Sequence, residues 1–147
     1  MYKSKFQLKT LDRIIPILTY RKTYLFFKNI ILNSQKFCLK GKKNSTVICE
    51  ERYRGTGKTI GLARLSSKYN IPLFVGTNTS KKYIDDFYMK HKRLFGFKQP
   101  NVIVADQNNS LLRRKRFSYV LIDETVKNPE SIFRYCNNNY LMLINAK

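Results

Sequence analysis

The sequence predicts an α/β protein, a parallel sheet sandwiched by helices and preceded by a basic helical extension. Three observations lead there. From residue 46 onward, short apolar runs rich in β-branched residues alternate with segments of helical spacing. Those runs are apolar at nearly every position, which suits strands buried on both faces rather than strands with one wet face. A length of 147 residues suits one domain with one core.

Residues 1–45 are read as the extension. Residues 1–44 carry 11 Lys and Arg against one acidic residue, Asp12, a net of +10. Residues 45–147 carry the other +10 of a formal net charge of +20, over more than twice the length. Pro16 divides the segment into one or two amphipathic helices, with Leu25, Phe26, Ile30 and Ile31 along one stripe. Such a segment suits a helix packed over a sheet edge, a DNA-contacting arm, or a helix lying on a membrane surface. Arg21, Lys22 and Lys28 interrupt its apolar clusters, so no stretch reaches the ~18 apolar residues of a spanning helix, and no signal-peptide layout appears. The polar, basic "KGKKNS", residues 40–45, is the expected boundary.

The second unit runs from 46 to 147. "TVICE" (46–50) is its first strand, and "KTIGLARLSSKY" (58–69) a helix with Ile60, Ala63, Leu65 and Tyr69 at helical spacing. "IPLFVGT" (71–77) is a strand opened by Pro72. "SKKYIDDFYMKHKRLF" (80–95) is a helix with Ile84, Phe87, Tyr88 and Leu94 on its apolar face. "NVIVAD" (101–106) and "SYVLIDE" (118–124) are strands. "NPESIFRYC" (128–136) is a helix with Pro129 in its first turn, and "YLMLINA" (140–146) is the last strand. Cys38, Cys49 and Cys136 lie far apart, with His91 the one histidine. That spacing speaks against a zinc site or a disulfide framework and suits a reducing cytoplasm.

The chemistry centres on "CEERYRGTGKTIGL" (49–62). A strand, a Gly-rich loop ending G-T-G-K-T, and a helix make the layout of a phosphate-binding loop. Gly55 and Gly57, flanked by Arg54 and Thr56, let backbone N–H groups close around a phosphate. The helix starting near Lys58 adds the positive end of its dipole. Lys58 is expected to reach the β- and γ-phosphates and Thr59 to offer its hydroxyl to Mg2+. The full pattern G-x-x-x-x-G-K-[ST] fails at one place, Arg52, where the first glycine belongs. Taken alone, the run is also readable as a glycine turn with a basic residue.

A second signal stands downstream. "FSYVLIDET" (117–125) ends a strand in Asp123-Glu124, at the strand end where ligands collect in a parallel sheet. Asp123 is expected to hold Mg2+ through its water shell, and Glu124 to polarise the attacking water as general base. A strand that merely ends in a polar turn has the same appearance, so the two motifs support each other. Asn145 ends the next strand, either as a sensor of the γ-phosphate or as a strand-end cap. "TNTSKKYIDD" supplies no guanine-reading N-K-x-D element, so the expected cofactors are ATP and Mg2+.

Together these residues resemble the additional-strand, catalytic-glutamate division of P-loop ATPases. "RGTGKT" is similar to the Walker A of phage DNA-packaging ATPases, the large terminase subunits, which often carry Arg at the place of Arg54. "LLRRKRFSYVLIDE" (111–124) resembles the stretch L-R-G-x-R-(F/Y)-D-x-V-L-I-D-E of terminase-like and helicase-like ATPases. The span 47–146, about two thirds of the chain, looks like small single-domain P-loop proteins of Firmicutes phages and prophages. The resemblance implies a nucleotide loop at Arg54, Gly55, Gly57, Lys58 and Thr59, with Asp123 and Glu124 as metal and catalytic carboxylates. The sequence departs from the pattern at Arg52 and at Arg114, where Gly is usual. There is no room for a packaging nuclease domain.

The expected function is therefore Mg2+-dependent ATP hydrolysis coupled to nucleic acid, in the cytoplasm, of a bacterial host if the chain is phage-encoded. Arg113, Arg114, Lys115 and Arg116 adjoin the acidic strand and are the expected DNA or RNA contacts. The Lys, Asn, Ile and Tyr richness of the chain is also what AT-rich codons produce, so charge alone leaves nucleic-acid contact and compositional drift side by side. A homo-oligomer or larger complex would supply an arginine finger, with Arg134 one residue able to serve in trans. Two other readings are a nucleotide-binding scaffold or switch without turnover and a small-molecule kinase. The short stretch after Glu124 leaves the kinase little room for a lid.

Overall fold

The computed structural model describes residues 2–5, 24–25, 28–29, 45–49, 58–105, 115–136 and 139–145. The strands are β1 (Tyr2–Lys5), β2 (Ser45–Cys49), β3 (Leu73–Val75), β4 (Val102–Val104), β5 (Val120–Ile122) and β6 (Tyr140–Asn145). They stand in the order β1-β2-β6-β5-β3-β4, and every neighbouring pair is parallel. Helices α1 (Lys58–Tyr69), α2 (Asn78–Lys90) and α3 (Glu130–Phe133), with a 3₁₀ turn at Lys92–Phe95, lie between strands. The class is α/β with a parallel sheet, as the apolar runs predict.

Alternation along each strand divides the core into two layers. Leu73, Val75, Leu121, Leu141 and Leu143 pack with Ile60, Leu62, Ala63, Leu65 and Ile84 of α1 and α2. Phe74, Val120, Ile122, Tyr140 and Met142 pack on the other face with Ile132 and Cys136, from α3 and the turn after it. Burial on both faces explains why LFV and VLI show no polar position. Helix α1 is buried over more of its circumference than its spacing suggests, because Gly61, Ser66 and Ser67 are buried too. The Ser66 hydroxyl accepts from the Asn101 N–H at 3.1 Å. The Ser67 hydroxyl donates to the Phe95 carbonyl at 3.0 Å and also meets the Lys98 carbonyl. These bonds satisfy the buried hydroxyls and pin the 95–101 segment to α1.

The N-terminal reading needs correction. Tyr2–Lys5 is not part of a separate helical extension; it is strand β1, in register with β2 from Tyr2↔Ser45 to Lys5↔Ile48. β1 stands at one end of the strand order. The boundary at 45 therefore falls inside one sheet. Helical residues do occur at 24–25 and 28–29, but Tyr24 is buried while Leu25 is 42% exposed, so Leu25 is not on the packed stripe. Phe26, Ile30 and Ile31 lie outside the described residues.

The helix expected over 80–95 is two pieces. Thr77 caps α2, its hydroxyl accepting from the Ser80 N–H at 3.1 Å, so the helix begins at Asn78. After Lys90 the chain tightens to 3₁₀ geometry. The changed pitch turns Leu94 outward and Phe95 inward, where it packs edge-on against Phe87 and Tyr88. Leu94 thus leaves the apolar face assigned to it. The helix expected over 128–136 keeps helical form at Glu130–Phe133, with Pro129 as N-cap. No helix among the described residues is long and apolar enough to cross a membrane.

Candidate functional site

In a parallel sheet the C-terminal strand ends share one edge, and the residues just beyond them meet there. Lys58 and Thr59 open α1. Asp123 and Glu124 follow β5 directly, and Gly76 follows β3. The Thr59 hydroxyl donates to Asp123 Oδ1 at 3.1 Å, across 64 residues of sequence. Lys58 Nζ lies 3.4 Å from Glu124 Oε2. Two consecutive residues of the Gly-rich motif therefore meet the two consecutive acidic residues.

Burial raises the stakes of each contact. Asp123 is 1% exposed, and a carboxylate so placed is tolerated only when its oxygens are hydrogen-bonded. Oδ1 takes the Thr59 hydroxyl, while Oδ2 takes the Thr125 hydroxyl at 2.8 Å and the Thr125 N–H at 3.3 Å. The Asp123 N–H donates to the Phe74 carbonyl at 2.9 Å, fixing the turn to β3. Lys58 is buried, and Glu124 is about a fifth exposed. Glu124 Oε2 is buried and makes no hydrogen bond of good geometry among the described residues, leaving the Lys58 ammonium as its neighbour. The formal charges of Lys58, Asp123 and Glu124 sum to −1.

Two residues of this cluster are given no role by the sequence motifs. Thr125 Oγ1 both donates to Asp123 and accepts from the Gly76 N–H at 2.9 Å, so it ties β3 to the acidic turn. Asp followed two residues later by a Thr whose N–H returns to it is an Asx-turn, a local signal that could have marked Thr125. Gly76 carries no such mark. A Cβ there would stand 1.9 Å from the Thr125 carbonyl oxygen and 2.5 Å from its carbon. Thr125→Val should cost about 1 kcal/mol in urea denaturation, because both the Asp123 and Gly76 bonds are lost, and Thr125→Ser should recover most of it.

The remaining expected residues fall elsewhere. Arg52, Arg54, Gly55, Thr56 and Gly57 lie outside the described residues, as do Arg113 and Arg114. Asn145 is the last residue of β6, in register with Cys49, which puts its backbone at the same sheet edge; its side chain lies outside the described residues. Lys115 and Arg116 are exposed on the entry side of β5, away from the acidic turn. The Arg116 guanidinium donates to the Arg134 carbonyl. Arg134 is exposed, its guanidinium 5.5 Å from the Tyr135 ring centre. Comparison with protein-family models, curated proteins and solved structures finds no match to the chain.

Proposed function

We propose that this protein is a P-loop nucleoside triphosphatase that binds ATP with Mg2+ and hydrolyses it, with nucleic acid as the coupled partner. One observation carries the reading. Lys58-Thr59 at the start of a helix meets Asp123-Glu124 at the end of a parallel strand, through the 3.1 Å and 3.4 Å contacts. The strand order adds support. β6 stands between β2, which leads into the Gly-rich run, and β5, which carries the acids, in keeping with the additional-strand division.

The residues fit the two cofactors. A magnesium site of this kind takes one or two protein oxygens and completes its shell with phosphate and water. Thr59 Oγ1 and Asp123 Oδ1 already lie together at 3.1 Å and would hold the ion. The surplus negative charge of the cluster suits a cation, and the Lys58 ammonium at the first turn of α1 suits the phosphates. Magnesium would neutralise charge on the β- and γ-oxygens. Lys58 Nζ lies against Glu124 Oε2. With the lysine turned to a triphosphate, Glu124 Oε2 would be free to accept a proton from water as general base. Asp123 stays fixed by its three donors, so the carboxylate needs no reorganisation during the reaction.

Phosphate release from ATP, measured with and without Mg2+, with and without added DNA or RNA, and with no other acceptor, tests the reading. Mg2+-dependent release that Lys58→Ala abolishes is the expected result. Binding without release would instead favour a switch. ADP formed only when an acceptor is supplied, with no free phosphate, would favour a kinase.

A further inference from the structure

The C-terminal half of α1 and the Lys92–Lys98 segment enclose an open groove of about 450 Å3. Four cations, Arg64, Lys68, Arg93 and Lys98, line it together with Tyr24 and Phe95, and among the described residues no carboxylate does. Arg64 stacks its guanidinium on Tyr24, 4.1 Å from the ring centre. Lys68, Arg93 and Lys98 are exposed and form no ion pair among the described residues. The buried Ser67 hydroxyl of α1 binds the Phe95 and Lys98 carbonyls and so ties the groove-lining segment to the helix. α1 rises ~1.5 Å per residue, so Lys68 lies about 15 Å along the helix from Lys58, well away from the acidic turn.

A second observation lies in the segment that lines the groove. Gly96 and Phe97 both have φ of 60°. Glycine accepts that left-handed conformation freely, but for a bulky residue it is an outlier that costs energy. Phe97 is nevertheless 72% exposed, between two groove-lining residues, and its N–H is held by the Lys92 carbonyl at 3.0 Å. Gly or Asn would serve this turn at less cost, and water gives the ring nothing. An exposed aromatic ring in the segment that carries these cations offers the pairing of stacking face and positive charge that binds unpaired bases and their phosphates.

We propose that this groove binds single-stranded nucleic acid, with phosphates on Lys68, Arg93, Lys98 and Arg64 and a base stacked on Phe97. A duplex is a poorer fit. Its grooves admit a convex helix or ribbon, whereas this surface is concave, and its bases are already stacked. The inference rests on the nucleic-acid partner named above but not on ATP hydrolysis.

The chain contains no tryptophan, so Phe97→Trp installs a single reporter between Gly96 and Lys98 of the groove. Titration with oligothymidylate of about 20 nucleotides, without ATP, should quench its fluorescence as a base stacks on it. In anisotropy titrations of labelled oligothymidylate, Phe97→Ala should weaken binding about 5–100-fold, and Phe97→Tyr should retain it. Arg93→Ala/Lys98→Ala should weaken binding at least about 10-fold and flatten the salt dependence. Lys82→Ala/Lys90→Ala on α2, which removes the same charge, should change affinity less than about threefold. A duplex of equal length should bind more weakly than the single strand. Equal losses in the α2 and groove variants would overturn the proposal, because net charge alone would then explain retention. So would an unquenched Trp, a loss only in Lys115→Ala/Arg116→Ala, or binding confined to anionic vesicles. Lys58→Ala separates the two readings. Groove-dependent oligonucleotide binding in a protein that never hydrolyses ATP sustains this inference while removing the triphosphatase. Hydrolysis lost in Lys58→Ala with no groove effect does the reverse.

Discussion

Glu124→Gln should lower ATP hydrolysis by about 10²–10⁴-fold while Mg2+·ATP remains bound. The amide keeps the shape of the side chain and loses its ability to take a proton from water. The substitution also acts on the nucleotide-free protein. Lys58 is buried, and Glu124 Oε2 at 3.4 Å is its counter-charge. Removing one partner of a buried pair leaves an uncompensated charge, which for full burial costs about 3–5 kcal/mol. Glu124 is about a fifth exposed, so solvent moderates the loss, and a cost of about 1–2 kcal/mol is expected. On the proposed reading, bound triphosphate would supply Lys58 with another partner. Glu124→Gln should therefore be less stable than wild type without nucleotide, recover with Mg2+·ATP, and bind it at least as tightly. Single-turnover hydrolysis and thermal denaturation with and without nucleotide read both effects. A rate within about tenfold of wild type would remove Glu124 from the role of general base.

Gly76→Ala should destabilise the fold by about 3 kcal/mol or more and abolish nucleotide binding. The added methyl would stand 1.9 Å from the Thr125 carbonyl oxygen, and the obstacle is backbone, not a side chain able to swing aside. Relief requires parting β3 from the 123–126 turn. That turn is held to β3 by the Asp123 N–H on the Phe74 carbonyl and the Gly76 N–H on Thr125 Oγ1. Overpacking typically costs ~1–3 kcal/mol and exceeds that when backbone must move. Separation would also carry Asp123 away from Thr59. Urea denaturation measures the first effect and nucleotide titration the second. Wild-type stability in Gly76→Ala would mean that the close approach is absent.

Much of this arrangement is legible in the residues themselves. LFV and VLI are apolar at each position because both faces of β3 and β5 are covered, and that pattern alone indicates a parallel sheet. Lys58-Thr59 and Asp123-Glu124 are legible because each pair is contiguous and placed at the end of an element. What escapes depends on contacts between distant segments. β1 reads YKSK, polar and without periodicity, and its place comes from backbone pairing with β2. Gly76 and Thr125 are 49 residues apart and meet because β3 and β5 are neighbours, an adjacency no local pattern encodes. Leu94 and Phe95 exchange roles because a 3₁₀ turn replaces the last helical turn, shifting the phase on which the spacing argument relies. The basic groove draws on residues 24, 64, 68, 93 and 98, which no single run of sequence contains.

The central claim is that Lys58, Thr59, Asp123 and Glu124 form one triphosphate site. Calorimetric titration of the full chain with ATP, with and without Mg2+, beside Lys58→Ala, tests it most directly. Saturable, Mg2+-strengthened binding at one site, weakened about 10–100-fold or more in Lys58→Ala, is the result expected from loss of a charge-assisted phosphate contact. Equal affinity in the two proteins, or no binding to the wild-type chain, would contradict it.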